Sequence, residues 1–358
     1  MRIGLFGFPR TGKTTLHRLA TGAAAPAHVG RKEALVGVAR VADPRLDRLA
    51  AMYKPRKTTP AAVEYVDLGG VEKGEAAEAL PLEQLRVVDA LAHVVRAFRD
   101  DTIPHSEGTV DPARDVATME TELVLADHTI AERRIEKLEL ALKKTHRDEE
   151  RKDLDLLRRC LAALERETPL REVHFAEEEE RRLRGYTFLS MKPLLIVVNA
   201  DEADASRLAQ GGAGFGLGAI LEKPNLAVVA LSAKIESEIA ELSPEDAAAF
   251  RAELGIDEPA LERMIRASYG LLGRISFFTV GEDECRAWTI RKGTPARTAA
   301  GVIHSDIERG FIRAELVPYA DLVAAGNWAA CRERGTLRLE GKDYILQDGD
   351  VVHFRFNV

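Results

Sequence analysis

Apolar positions in this chain follow three different rhythms. In the first regime, short runs of mostly apolar residues stand between polar, turn-rich segments. Ile3, Leu5 and Phe6 open the chain as a buried strand, and strand-like runs follow at 35–41, 62–66, 91–98, 193–198 and 227–231. Runs of this length without strict alternation suit strands buried inside a sheet, and helices at 15–19, from 43 onward, 244–254 and 258–272 separate them in an α/β order. A second regime, 115–185, is dense in Glu, Lys, Arg and Leu. There Val124, Ala131, Ile135, Leu138 and Leu142 fall on one helical face, and Leu154, Leu157, Leu161 and Leu164 on another. Joined by a charged connection at 145–150, these two helices predict an antiparallel, coiled-coil-like hairpin. Beyond residue 276 the rhythm shortens to strands at 276–280, 285–290, 313–317, 344–346 and 351–356, with an Asp348-Gly349 turn before the last. This predicts a separate small α+β domain. The expected division is 1–115 with 190–275 as one domain, 116–189 inserted into it, and 276–358 at the end.

Two stretches carry less. The glycine-rich 211–218 lacks a strand-to-helix frame and is expected to be a flexible connection, while the charge run 177–182 reads as a solvated helix face.

The 358 residues suffice for two or three domains, and 46% hydrophobic with 30% charged residues is ordinary globular composition. No apolar run reaches membrane-spanning length, and the first residues enter a strand directly, so neither a membrane nor a signal peptide is expected. Cys160, Cys285 and Cys331 are widely spaced, which points to a reducing, cytoplasmic setting without disulfides or zinc. A net charge of -7 offers no global attraction to nucleic acid, so DNA is not an expected partner and RNA would need a local basic patch. A monomer is the expected state.

Specific chemistry begins at Gly7-Phe8-Pro9-Arg10-Thr11-Gly12-Lys13-Thr14, which fits G-x-x-x-x-G-K-[ST] between a strand and a helix. Gly7 and Gly12 permit the tight turn that aims successive N–H groups, from Arg10 and Thr11 through to Thr15, around a polyphosphate, with Pro9 lining the same loop. Lys13 is spaced to reach the outer phosphates, and the Thr14 hydroxyl to hold Mg²⁺. The strand 62–66 ends in Asp67-Leu68-Gly69-Gly70, where Asp67 is placed to reach the metal through water and Gly70 to offer its N–H to the terminal phosphate. His93 inside a strand reads as a hydrogen-bonded core or interface residue. His105, alone in a polar loop, reads on spacing as solvated.

The stretches GFPRTGKTT, DPRLDRLA, VEYVDLGG, AHVVRAF, VNADE, CRAWTI, GVIHSDIERGFIRAE and EGKDYILQDGDVVHFRFNV resemble the Obg-like ATPase family, the YchF type of P-loop protein, over nearly the whole length. The resemblance implies a Ras-like nucleotide domain, the inserted hairpin and a ubiquitin-like (β-grasp) TGS domain. It also implies ATP hydrolysis, and the leading expectation is a Mg²⁺-dependent switch, slow for want of a switch I Thr, with ribosome or RNA as partner. The base-reading loops then follow the insertion: Asn199-Ala200-Asp201-Glu202 stands where GTPases carry N-K-x-D, and Ser232-Ala233-Lys234 closes the pocket. Ala200 removes the Lys that packs on the base and Glu202 displaces the acid that pairs with guanine, while Asn199 can meet N6 and N7 of adenine. ATP is favoured, although Asp201 keeps GTP open.

Departures from the family pattern matter too. Arg10 stands where the family has an Asn expected to bind activating potassium, which puts potassium dependence in doubt. Either the guanidinium replaces the ion's charge in the manner of an arginine finger, or it faces solvent. The switch I positions 30–33 lack a Thr, and switch II is short at 71–77; Val71 stands where Ras-like GTPases keep a water-orienting Gln, a position at which the resembled family is likewise apolar. The family instead points to a mobile loop histidine, which matches His105. Catalytic candidates are therefore His105, Lys13 and Arg10. The competing expectation is a protein that binds nucleotide without hydrolysis and contacts ribosome or RNA, with Arg286, Arg291, Lys292 and Arg297 either a basic surface or a plain solvated one.

Overall fold

A computed structural model describes residues 1–23, 34–68, 82–143, 148–254, 256 and 258–357. Both switch segments and Gly70 lie outside the described residues. The strands are β1 (Arg2–Phe6), β2 (Leu35–Arg40), β3 (Lys57–Thr59), β4 (Ala62–Asp67), β5 (Ala90–Arg96), β6 (Leu194–Asn199), β7 (Leu226–Leu231), β8 (Arg274–Thr279), β9 (Glu284–Arg291), β10 (Phe311–Pro318), β11 (Arg338–Glu340) and β12 (Asp350–Phe356). They build two sheets, ordered β2-β4-β1-β5-β6-β7 and β11-β10-β12-β8-β9-β3. Among the described residues no helix is long and apolar enough to cross a membrane.

In the first sheet, β1 pairs in parallel with β4 and β5, β5 with β6, and β6 with β7. Parallel neighbours require crossover connections, which the intervening helices supply. β5 and β6 are buried at every position, as central strands covered on both faces must be. Their Leu91, Val95, Ile196 and Val198 pack with Phe6, Val116 and Leu123 in one core.

The stretch 211–218 belongs to that core, which corrects its reading as a flexible connection. It forms tight turns at Gly211–Phe215 and Gly218–Ile220, with Phe215 and Leu217 buried among the strand side chains. The Arg207 guanidinium lies 4.3 Å from the Phe215 ring centre, and its Nε donates to the Gly214 carbonyl at 3.0 Å. Two apolar side chains two residues apart outweigh the flexibility that the glycines suggest.

The hairpin forms as its stripes predict, from helices Pro112–Leu142 and Asp148–Leu164, with Val124, Ala131, Ile135, Leu154 and Leu157 in a shared cluster. At its root, Asp127 is fully buried. Its carboxylate accepts from the backbone N–H of Leu189 and Ser190 at 2.9 and 2.6 Å and faces Arg86 Nη1 at 3.2 Å. The charge run forms the helix Glu177–Leu183, exposed along its Glu177-Glu178 start but buried at Leu183.

By internal contacts the chain divides into two compact units, Met1–Gly37 with Glu64–Leu271, and Val38–Val63 with Leu272–Val358. The second unit takes in residues 38–63, read from sequence as part of the nucleotide domain, although β2 and β4 at the ends of that range belong to the first sheet. Lys57–Thr59 pairs in parallel with β9, and Arg45 bonds both Asp43 and Asp348 at 2.9 and 2.7 Å. The expected strand at 344–346 is only an isolated bridge between Ile345 and Pro295.

Candidate functional site

Because β4, β1, β5, β6 and β7 are mutually parallel neighbours, the segments that leave their carboxyl ends lie along one edge of the sheet, where ligands of open α/β sheets bind. Each predicted motif leaves one of those ends. From β1 the chain turns through the glycine loop into the helix Lys13–Thr21. Gly7 has φ 132° and a Cβ there would lie 2.5 Å from the Val94 carbonyl oxygen; Gly12 has φ 99° and a Cβ there would lie 2.4 Å from Asn199 Nδ2. Neither position admits a Cβ. Gly12 caps the helix without a side-chain bond, so its first-turn N–H groups remain for an anion. Thr11 closes the loop on itself, donating to the Phe8 carbonyl at 3.2 Å.

Lys13 is 6% exposed. It donates to the carbonyls of Gly7 at 3.1 Å and Phe8 at 2.7 Å, folded over the loop it serves. Burial pushes its pKa down to about 8, against a smaller opposing pull from Asp67. At the end of β4, Asp67 is buried, and Thr14 Oγ1 donates to its Oδ2 at 2.6 Å. One hydroxyl and one carboxylate at this separation match the sparse protein contribution that Mg²⁺ takes when waters and phosphate oxygens complete its octahedron. The donor set therefore fits that ion. Thr15 is exposed on the first turn of the helix and Pro9 half-buried in the loop.

The base-reading loops leave β6 and β7, and here the structure corrects one expectation. The Asn199 side chain does not wait for an adenine edge. Its Nδ2 donates to the Thr11 carbonyl at 3.0 Å and its Oδ1 accepts from Ala233 N–H at 3.0 Å, in a residue 5% exposed. It braces the phosphate loop against the β7 loop. Ser232 caps the helix Ala233–Glu241, and Glu202 pairs with Lys234 at 2.9 Å, tying the two base-reading loops together. Ala200 is buried. A cavity of about 490 Å³ opens beside these residues, lined by Glu202, Leu231, Ser232, Ile235 and Arg263.

His105 is not solvated, as spacing alone suggests. Its side chain is 4% exposed, and Nε2 lies 2.9 Å from Asp115 Oδ2. Its Nδ1 accepts from Glu107 N–H at 3.1 Å, and its ring meets Phe8 of the phosphate loop edge-on at 5.9 Å. The loop carrying it is pinned by Arg96, a mostly buried side chain that donates to the carbonyls of Phe98, Asp100 and Ile103. Neither Arg96 nor Asp115 stands out in sequence, because their partners are carbonyls and a loop side chain. His93 is buried and stacked on Phe6 at 4.9 Å, but both ring nitrogens lack hydrogen-bond partners, contrary to expectation. Burial, then the Lys13 charge, hold its pKa down at about 3, so it stays neutral. Arg10 is exposed at φ 62° and makes no hydrogen bond or ion pair with a described residue.

Residues 274–357 match the family YchF-GTPase_C, described as a protein of unknown function. The chain is 43% identical to the ribosome-binding ATPase YchF of Bacillus subtilis, covering 99% of both proteins. It is 41% identical to the ribosome-binding ATPase YchF of Pasteurella multocida, over 100% of this chain and 99% of that one. The structure of the Schizosaccharomyces pombe YchF GTPase superposes with a TM-score of 0.87 at 31% identity, over 99% of this chain and 97% of that one. With 43% and 41% identity over nearly the full length of both proteins, the chain belongs to the YchF family.

Proposed function

We propose that this protein is a Mg²⁺-dependent P-loop ATPase that works as a slow switch in association with the ribosome. The observation that carries the reading is the cluster of Lys13, Thr14 and Asp67 at the ends of two adjacent parallel strands. Lys13 and the first-turn N–H groups neutralise phosphate charge, and Thr14 and Asp67 would hold the metal, which spreads charge from the phosphate oxygens. His105 handles the attacking water. Ribosome association follows the names of the relatives. Lys13→Ala is expected to abolish tight ATP binding and hydrolysis; wild-type behaviour in that variant overturns the reading.

ATP is the proposed nucleotide because the position of the base-stacking Lys is the buried Ala200 and the acid is Glu202, engaged by Lys234. ATP and GTP affinities measured side by side, on wild type and Glu202→Asp, test this choice. A second reading, nucleotide binding without hydrolysis, draws on His105, whose nitrogens both already face protein groups. An ATPase assay run beside salt-dependent ribosome co-sedimentation separates the two.

A further inference from the structure

His105, read above as the group that handles the attacking water, forms a buried pair with Asp115, which that chemistry does not yet use. Asp115 is 1% exposed and sits in the first turn of the helix Pro112–Leu142, whose Asp111 cap accepts from Arg114 N–H at 3.1 Å. Arg114 holds the other carboxylate oxygen, Oδ1, through Nε at 3.1 Å and Nη2 at 2.7 Å, and binds the Thr109 carbonyl and hydroxyl. Asp115 is thus fixed, with Oδ2 turned to His105. The two atoms are close but not aligned as donor and acceptor, so the contact is electrostatic. At the opposite side of the ring Nδ1 accepts a backbone N–H from Glu107, which places the proton of the neutral imidazole on Nε2, against the carboxylate.

From this geometry we infer that Asp115 is a positioning residue for His105, a step that rests on the reading of His105 as the water-handling group. Asp115 holds the imidazole by its Nε2 side and fixes the Nε2–H tautomer. Nδ1 is then the accepting nitrogen, and it exchanges the Glu107 N–H for the hydrolytic water. Water oxygen bonds to the γ-phosphorus, and the bond to the bridging oxygen breaks with its electron pair leaving on the diphosphate. Nδ1 accepts the proton that the water gives up. The imidazolium so formed is stabilised by the buried carboxylate, as an orienting acid stabilises the base in a catalytic triad.

The test is a double-mutant cycle on the full chain, with kcat, KM and nucleotide Kd measured separately. His105→Ala and Asp115→Asn are each expected to lower kcat at least about tenfold, with KM and Kd moving less than about twofold. Asp115→Glu should regain part of the loss, and Asp115→Asn should add nothing in the His105→Ala background. An unchanged kcat in Asp115→Asn while His105→Ala is impaired overturns the positioning role alone, as does an equal loss in both backgrounds. An unchanged kcat in His105→Ala overturns the water-handling reading and this inference with it. Nitrogen-15 NMR of wild-type protein labelled at histidine needs no variant: an Nε2-protonated His105 supports the inference, and an Nδ1-protonated one overturns it.

Discussion

Asn199 Nδ2 and the Thr11 carbonyl oxygen meet at 3.0 Å, joining the end of β6 to the phosphate loop, 188 residues away in the chain. The same amide receives Ala233 N–H, so one side chain holds two loops. Asn199→Ala leaves a buried carbonyl and a buried N–H unpaired, which costs about 1–3 kcal/mol each way such a group is orphaned. The expected result is a lower midpoint in chemical denaturation and weaker binding of ATP and GTP by similar factors. A loss confined to one nucleotide would instead make Asn199 a base reader.

Arg10 occupies a left-handed conformation at φ 62°, where Asn is tolerated and a long side chain is strained. Arg10→Asn is expected to stabilise the fold by up to about 1 kcal/mol in thermal unfolding. Hydrolysis compared in KCl and NaCl should show a potassium response in the variant that wild type lacks. Equal rates in both salts for the variant exclude an ion site at this position.

Lys13 titrates near 8 in the folded chain instead of its ordinary 10.5, because burial disfavours the ammonium. A polyphosphate needs that ammonium, so binding above pH 8 must take up a proton. Affinity should therefore fall with rising pH by up to about tenfold per unit, starting near pH 8, and calorimetry in buffers of different ionisation enthalpy should register the uptake. The sign for stability is opposite. A lysine depressed in the fold costs stability while charged, and the cost is relieved as pH climbs from 8 toward 10.5.

The Asp127–Arg86 contact lies at the root of the hairpin, with Asp127 also serving two backbone N–H groups. Removing one partner of a buried pair costs about 3–5 kcal/mol, so Asp127→Ala should drop the unfolding midpoint sharply. Substitutions on the exposed face, such as Glu177→Ala, should change it little. Equal effects of the two would mean that the root is not a stabilising node.

What the amino-acid order determined by itself was local. A strand, two glycines, a lysine and a threonine at fixed spacing define an anion cradle, because backbone turn and helix start are set by neighbours in the chain. Apolar residues three and four apart define the hairpin for the same reason. Tertiary structure alone decided the rest. Lys57–Thr59 paired with a strand of the C-terminal unit, and Phe215 with Leu217 drew a glycine-rich stretch into the core. Asn199 became a brace, and His105 was buried against Asp115. Each of these turns on a partner whose position is set by packing of sheets and helices, and no spacing along the chain encodes which buried acceptor a side chain will meet.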